Sequence, residues 1–157
     1  MKILPEQMRL YAVTDRTWLH GSKLIDVVSA AIDGGATFVQ LREKSHLEGM
    51  ELSGEELLAE AKKLAQLCHE RGVLFVIDDD VELALEAGAD GIQIVEPNCS
   101  LISPKFYEAN IMPLHKQMVD LIQSKKNGFA RLHVCGDTSA LMPYTLGTGT
   151  HLLDVRS

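Results

Sequence analysis

One feature constrains this chain more than any other: an alternation along its length. Six short apolar runs, RLYAVTD (9–15), TFVQLRE (37–43), VLFVID (73–78), GIQIV (91–95), ARLHVC (130–135) and HLLDV (151–155), are separated by segments of helical spacing. Those segments lie near residues 22–33, 53–70, 81–88, 103–127 and 138–146. Strand–helix–strand repetition predicts a parallel sheet covered by helices, because a chain needs a crossover of about a dozen residues to return a strand in the same direction. Local punctuation agrees. Ser53 and Glu56 have capping-box spacing, and Gly72 ends that helix. Ser103 with Pro104 opens the fourth helix, in which Pro113 removes one backbone donor and predicts a kink. Phe106, Leu114, Met118 and Leu121 mark an apolar face that also carries the amide of Asn110.

Two parallel architectures fit this α/β pattern, an open doubly wound sheet and a (β/α) barrel. The 157 residues suffice for one domain with a core. They fall short of an eight-stranded barrel, which takes roughly 250 residues. The net charge of −7 argues against nucleic acid as partner, since phosphate backbones need a basic surface. A small phosphorylated ligand or anion needs only local positive charge and stays open. No run of about 18 apolar residues predicts a membrane span, and MKILPEQMRL lacks the apolar stretch of a signal peptide. Three cysteines without such a peptide point to a reducing, cytoplasmic setting.

Three stretches carry chemistry. In QLREK, alternation along a strand puts Gln40, Arg42 and Lys44 on one face at the strand's C-terminal end, a clamp for an anion or a polar strand end running into a loop. In IDDDVE, Asp79 is either a magnesium ligand beside a diphosphate or, with Glu82, a helix cap. In HVC, His133 and Cys135 point to one face and make half of a zinc site, to which Cys99 and Glu96 could add donors. Read blandly, they are a thiol near a polar histidine. Cys68 lies on the apolar stripe Leu57, Ala61, Leu64 and reads as core. Trp18 and His20 fit either a pocket mouth or a surface loop.

YAVTD (11–15), QLREK (40–44) and FVIDDDVELALEAGADGI (75–92) together resemble thiamin phosphate synthase over residues 9 to about 91. The resemblance implies a (β/α)8 barrel that joins a pyrimidine diphosphate to a thiazole phosphate with Mg²⁺-assisted loss of diphosphate. On that pattern Gln40, Arg42 and Lys44 hold the diphosphate and Asp79 binds magnesium. Asp78 stands where the family usually has Asn, and Gln93 and Val95 replace a His and a Gly. From about residue 92, IQIVEPNCSLISPKFYEANIMPLHKQMVDLI and RLHVCGDTSALMPYTLGTGTHLLDV are similar to the methylcobamide:coenzyme M methyltransferases of the uroporphyrinogen decarboxylase superfamily. That resemblance makes His133 and Cys135 zinc ligands of an incomplete site.

The expectation is therefore a chimera within one α/β domain, crossing over between Asp90 and Ile94. Its fold would be a partial (β/α) barrel of about six parallel strands, incomplete relative to a (β/α)8 barrel. Activity would be of the thiamin phosphate synthase type by ancestry and lost in the truncated chain. A zinc-binding methyltransferase-like fragment and a chimeric barrel without catalysis are the alternatives. Exposed sheet edges predict a homo-oligomer.

Overall fold

The computed structural model describes residues 3–43, 52–125 and 128–156. The fold is an α/β partial (β/α) barrel of six parallel strands with helices between them. The chain divides into two compact units, Lys2–Asp90 and Gly91–Ser157.

The first unit carries β1 (Tyr11–Val13), β2 (Phe38–Leu41) and β3 (Leu74–Asp78), with α1 (Leu24–Asp33), α2 (Gly54–Glu70) and α3 (Val81–Ala87). The strands run parallel, with Val13 beside Gln40 and Gln40 beside Val76. Every residue of β2 and β3 is buried, and apart from Gln40 and Asp78 the two strands are apolar. The expected capping box is present on α2. Ser53 Oγ accepts from the Glu56 amide at 3.3 Å, and Glu56 accepts from the Ser53 amide at 2.9 Å. Ala61, Leu64, Ala65 and Cys68 form the buried face of α2. Gly72, at φ 67°, turns the chain into β3.

At the far end of β3 the capping expectation needs correction. The cap of α3 is Asp80, whose carboxylate accepts from the Leu83 amide at 2.8 Å, and not Asp79. Asp79 takes a left-handed φ of 59°, a conformation aspartate tolerates better than most residues. Asp90 closes the unit: its carboxylate accepts from the buried Phe75 amide at 2.9 Å and lies 3.2 Å from His69 Nε2.

The second unit carries β4 (Gly91–Glu96), β5 (Phe129–Asp137) and β6 (Leu152–Arg156), again parallel, with Val95 beside His133 and His133 beside Asp154. The helical segments are α4 (Pro104–Phe106), α5 (Met112–Lys125) and α6 (Met142–Leu146). β4 starts against β5 so closely that a Cβ on Gly91 would stand 2.4 Å from the Phe129 carbonyl oxygen.

Ser103 caps α4 with a 3.2 Å bond from the Phe106 amide. A π-turn, Tyr107–Ile111, then leads into α5. The wider turn lies just ahead of Pro113, which lacks the amide that a regular helix would require. Asn110 Nδ2 donates to the Phe106 carbonyl at 3.0 Å, so its amide supports the helix backbone at this irregularity. The apolar face read from the sequence is solvent-exposed: Phe106, Leu114, Met118 and Leu121 are each about half accessible. The buried face lies one residue along, at Tyr107, His115, Val119 and Ile122. Tyr107 and His115 can occupy it because they bond to each other, the Tyr107 hydroxyl lying 2.9 Å from His115 Nδ1.

No helix among the described residues is long and apolar enough to cross a membrane.

Candidate functional site

The C-terminal ends of β1, β2 and β3 gather the polar groups of the first unit, the position where parallel α/β folds place their chemistry. Gln40 is buried and accepts a short hydrogen bond from the Tyr11 hydroxyl. Arg42, just past β2, is fixed at its backbone by the buried Thr14, whose Oγ1 accepts from the Arg42 amide at 3.0 Å. Its guanidinium lies between two acids, 3.9 Å from Asp78 and 4.0 Å from Asp15. The Asp78 side chain is 2% exposed. Asp15 is held below its ordinary carboxylate range by hydrogen bonds from the Thr17 hydroxyl (2.6 Å) and amide (2.9 Å). Asp79 and Asp80 follow in the loop, both exposed. Lys44, expected as the third clamp residue, lies outside the described residues.

Sequence reasoning passed over Arg16, which bridges Glu43 (2.7 Å) and Glu60. Burial opposes its charge, but the two carboxylates outweigh that and raise its pKa. No local pattern announces such a bridge, since Glu60 comes from α2. Trp18 lines a mainly apolar cleft of about 160 Å³ with Ala12, Leu24 and Val28, and faces His20 with ring centroids 6.4 Å apart.

The second unit holds two separate polar groups. Glu96 Oε2 lies 3.8 Å from His115 Nε2. Cys99 hydrogen-bonds Glu96, and burial followed by that carboxylate pushes its thiol up to about 12. The other group is on β5 and β6. Cys135 Sγ is 3.3 Å from His133 Nε2, and His133 Nδ1 is 2.8 Å from Asp154 Oδ2. Arg131 Nη2 donates to that same oxygen at 2.6 Å. Glu96 is beside Val134 in the ladder, one residue out of phase with His133, so the strand alternation sends it to the other face.

The strand ends of the first unit match a known pattern. The model of the thiamine monophosphate synthase family matches residues 10–103. The chain belongs to the thiamine monophosphate synthase family. It is 42% identical over 89 residues to the thiamine-phosphate synthase of Albidiferax ferrireducens, covering 57% of this chain and 38% of that protein. It is 49% identical over 70 residues to the thiamine-phosphate synthase of Bacillus velezensis (45% and 30%). The chloroplastic thiamine biosynthetic bifunctional enzyme TH1 of Arabidopsis thaliana is 39% identical over 94 residues (57% and 16%). The matched stretch thus spans well under half of each of these relatives. Among solved structures, the thiamine phosphate pyrophosphorylase of Pyrococcus furiosus superposes with a TM-score of 0.70 at 24% identity, over 97% of this chain and 61% of that one. The carboxyl transferase domain of Rhizobium etli pyruvate carboxylase reaches 0.52 at 15% identity, over 83% and 23%. At such identities these two likenesses are of fold.

Membership of the thiamine monophosphate synthase family covers Gln40, Arg42 and Asp79. It also covers residues 92–103, which the sequence reading had assigned to a methyltransferase-like segment. The zinc expectation fares differently. Cys99 and Glu96 stand with His115, and among the described residues no group of three or more His, Cys, Asp or Glu is placed to hold a metal ion. His133 and Cys135 remain a pair, one donor short of even a catalytic zinc site. Magnesium is a different demand, because it is ordinarily held by one or two carboxylates with phosphate oxygens and water completing the shell. Asp79, exposed and next in the chain to Asp78, is a carboxylate of the kind that mode uses.

Proposed function

We propose that the strand ends of Lys2–Asp90 bind an organic diphosphate, as the pyrimidine-diphosphate side of a thiamin phosphate synthase does, and that this chain does not turn it over. The observation that carries the proposal is the placement of Arg42. It sits at a strand's C-terminal end inside the family match, its backbone tied to Thr14 and its guanidinium facing Asp78. Gln40, its amide held by Tyr11, offers a donor nearby, and Lys44 is the third expected clamp residue. Asp15, Asp78 and Asp79 outnumber Arg42 and Lys44, so a free diphosphate is repelled unless a divalent cation accompanies it. Asp79 would hold Mg²⁺ there, and bound Mg²⁺ offsets the charge that develops on a leaving diphosphate. The proposal of no turnover is supported by the shortness of the match alone. Catalysis needs groups held to a fraction of an ångström, and the match covers a minority of each curated relative.

Calorimetric titration of the full chain with inorganic pyrophosphate tests the reading. Binding is expected with Mg²⁺ and not without it, weakened at least about tenfold in Arg42→Ala, the loss of one charge-assisted contact. Equal binding by Arg42→Ala would overturn the clamp. Thiamin phosphate formation above background would overturn the claim of inactivity.

A second reading, a chimeric barrel without any ligand, is supported by one observation: the two compact units divide between Asp90 and Gly91, at the edge of the proposed crossover. A folded protein that takes up no pyrophosphate with Mg²⁺ favours it. On either reading we infer self-association, which sedimentation would show as a species heavier than 17.3 kDa.

A further inference from the structure

We propose that Asp154, His133 and Cys135 form a carboxylate–imidazole–thiol relay that makes Cys135 a nucleophile toward low-molecular-weight disulfides and alkylating electrophiles. All three residues lie outside the thiamine monophosphate synthase match, so the relay does not rest on the diphosphate reading.

The geometry runs in one line. Asp154 is the direct ladder neighbour of His133, and the Arg131 guanidinium anchors its Oδ2. A carboxylate only accepts, so the 2.8 Å contact puts the imidazole proton on Nδ1. Nε2 is thereby left as an acceptor, and it faces Cys135 Sγ at 3.3 Å. The β5–β6 ladder is irregular between His133 and Asp137, and Gly136 has a φ of 85°. Such irregularities re-aim side chains next to reactive sites. The group is accessible: Cys135 is half-buried, and the His133 and Asp154 side chains are 30% and 38% exposed. The other two thiols are the opposite case. Cys68 and Cys99 are buried, and both are pushed up to about 12, chiefly by that burial.

In the reaction with a disulfide, the Cys135 proton passes to His133 Nε2 and the thiolate attacks one sulfur. A new S–S bond forms as the old one breaks. The departing thiolate takes the proton from the imidazolium, leaving a mixed disulfide and one free thiol. With an alkyl iodide an S–C bond forms and iodide leaves. His133 is the base that touches the reacting thiol, and Asp154 is a positioning residue.

Mass-resolved labelling of the full chain with iodoacetamide and with dithiobis-nitrobenzoate, each with and without EDTA, tests this. Cys135 should be modified first, with Cys68 and Cys99 reacting only in denaturant, and EDTA should change nothing. His133→Ala should slow Cys135 at least about tenfold, the lower range of base assistance, and added imidazole should restore part of the rate. Asp154→Asn should also slow it, and Asp154→Glu, which keeps the carboxylate, should recover it. Thermal midpoints of the variants separate lost chemistry from lost fold, and His133→Gln serves if the alanine variant does not fold. An unchanged Cys135 rate in folded His133 variants would overturn the relay. So would acceleration by EDTA, which would make the thiol a metal ligand.

Discussion

Replacing Tyr107 by Phe removes one hydroxyl from the buried face of the π-turn helix and nothing else. The ring stays in a fully buried site. What changes is His115, which is 4% exposed and loses the 2.9 Å partner of its Nδ1. Its other nitrogen stands 3.8 Å from the Glu96 carboxylate, which favours the proton on Nε2 and leaves Nδ1 an acceptor with no donor. An orphaned buried polar group costs about 1–3 kcal/mol. In a chain of this length that lowers the melting midpoint by about 2–4 °C per kcal/mol. His115→Leu orphans the Tyr107 hydroxyl instead and should cost a similar amount. The double variant leaves neither group unpaired and should lie close to the wild type, well above the sum of the two losses. Urea denaturation of the four proteins measures the cycle. Single variants that lose less than about 0.5 kcal/mol, or losses that add within that margin, would refute the pairing as the reason this face is the buried one.

The same structure sets three further outcomes. Burial lowers the pKa of His115 below its ordinary 6.5, with Glu96 partly opposing. The unfolded chain therefore binds a proton that the folded chain refuses, and stability present above pH 6.5 is lost as pH falls through the window below it. Its slope is at most about 1.4 kcal/mol per pH unit, and urea midpoints between pH 7 and 5 should fall less steeply in His115→Leu. Gly91→Ala should cost about 3 kcal/mol or more, because its Cβ meets the backbone oxygen and ring of Phe129 at 2.4 and 2.9 Å. A urea midpoint near wild type would show that β4 and β5 can part there. Asp90→Ala should cost about 1–3 kcal/mol by stranding the Phe75 amide, and Asp90→Asn, which keeps an acceptor oxygen, should cost less in the same assay.

The strands were legible because parallel strands with helices on their faces are written as short, mainly apolar runs. Caps and turns at Ser53, Gly72 and Ser103 were legible because each satisfies a local backbone need with a neighbouring side chain. The buried face of α5 was not. Phe106, Leu114, Met118 and Leu121 are more apolar by type than Tyr107 and His115, and only a bond across eight residues makes the second set the inner one. Of three successive aspartates, any could cap a helix; backbone conformation gives that role to Asp80 and turns Asp79 away from it. Arg42 could be placed at a strand end from alternation alone, while the acids around it come from two other strand ends. Asp154 was invisible as a partner of His133, because that contact is set by the register between β5 and β6.

The π-turn has a consequence for how this chain can vary. Tyr107–Ile111 contains one residue more than regular winding would use, and the wider turn absorbs it. Tyr107 and His115 are eight positions apart, which regular winding would set about 80° apart around the helix, whereas seven positions would set them about 20° apart. Losing one residue here, with the turn reverting to regular winding, would therefore keep Tyr107 and His115 on one line. Losing one from the regular helix that follows would turn everything before it by about 100° relative to everything after. A change of length is silent inside this turn and becomes a change of phase outside it.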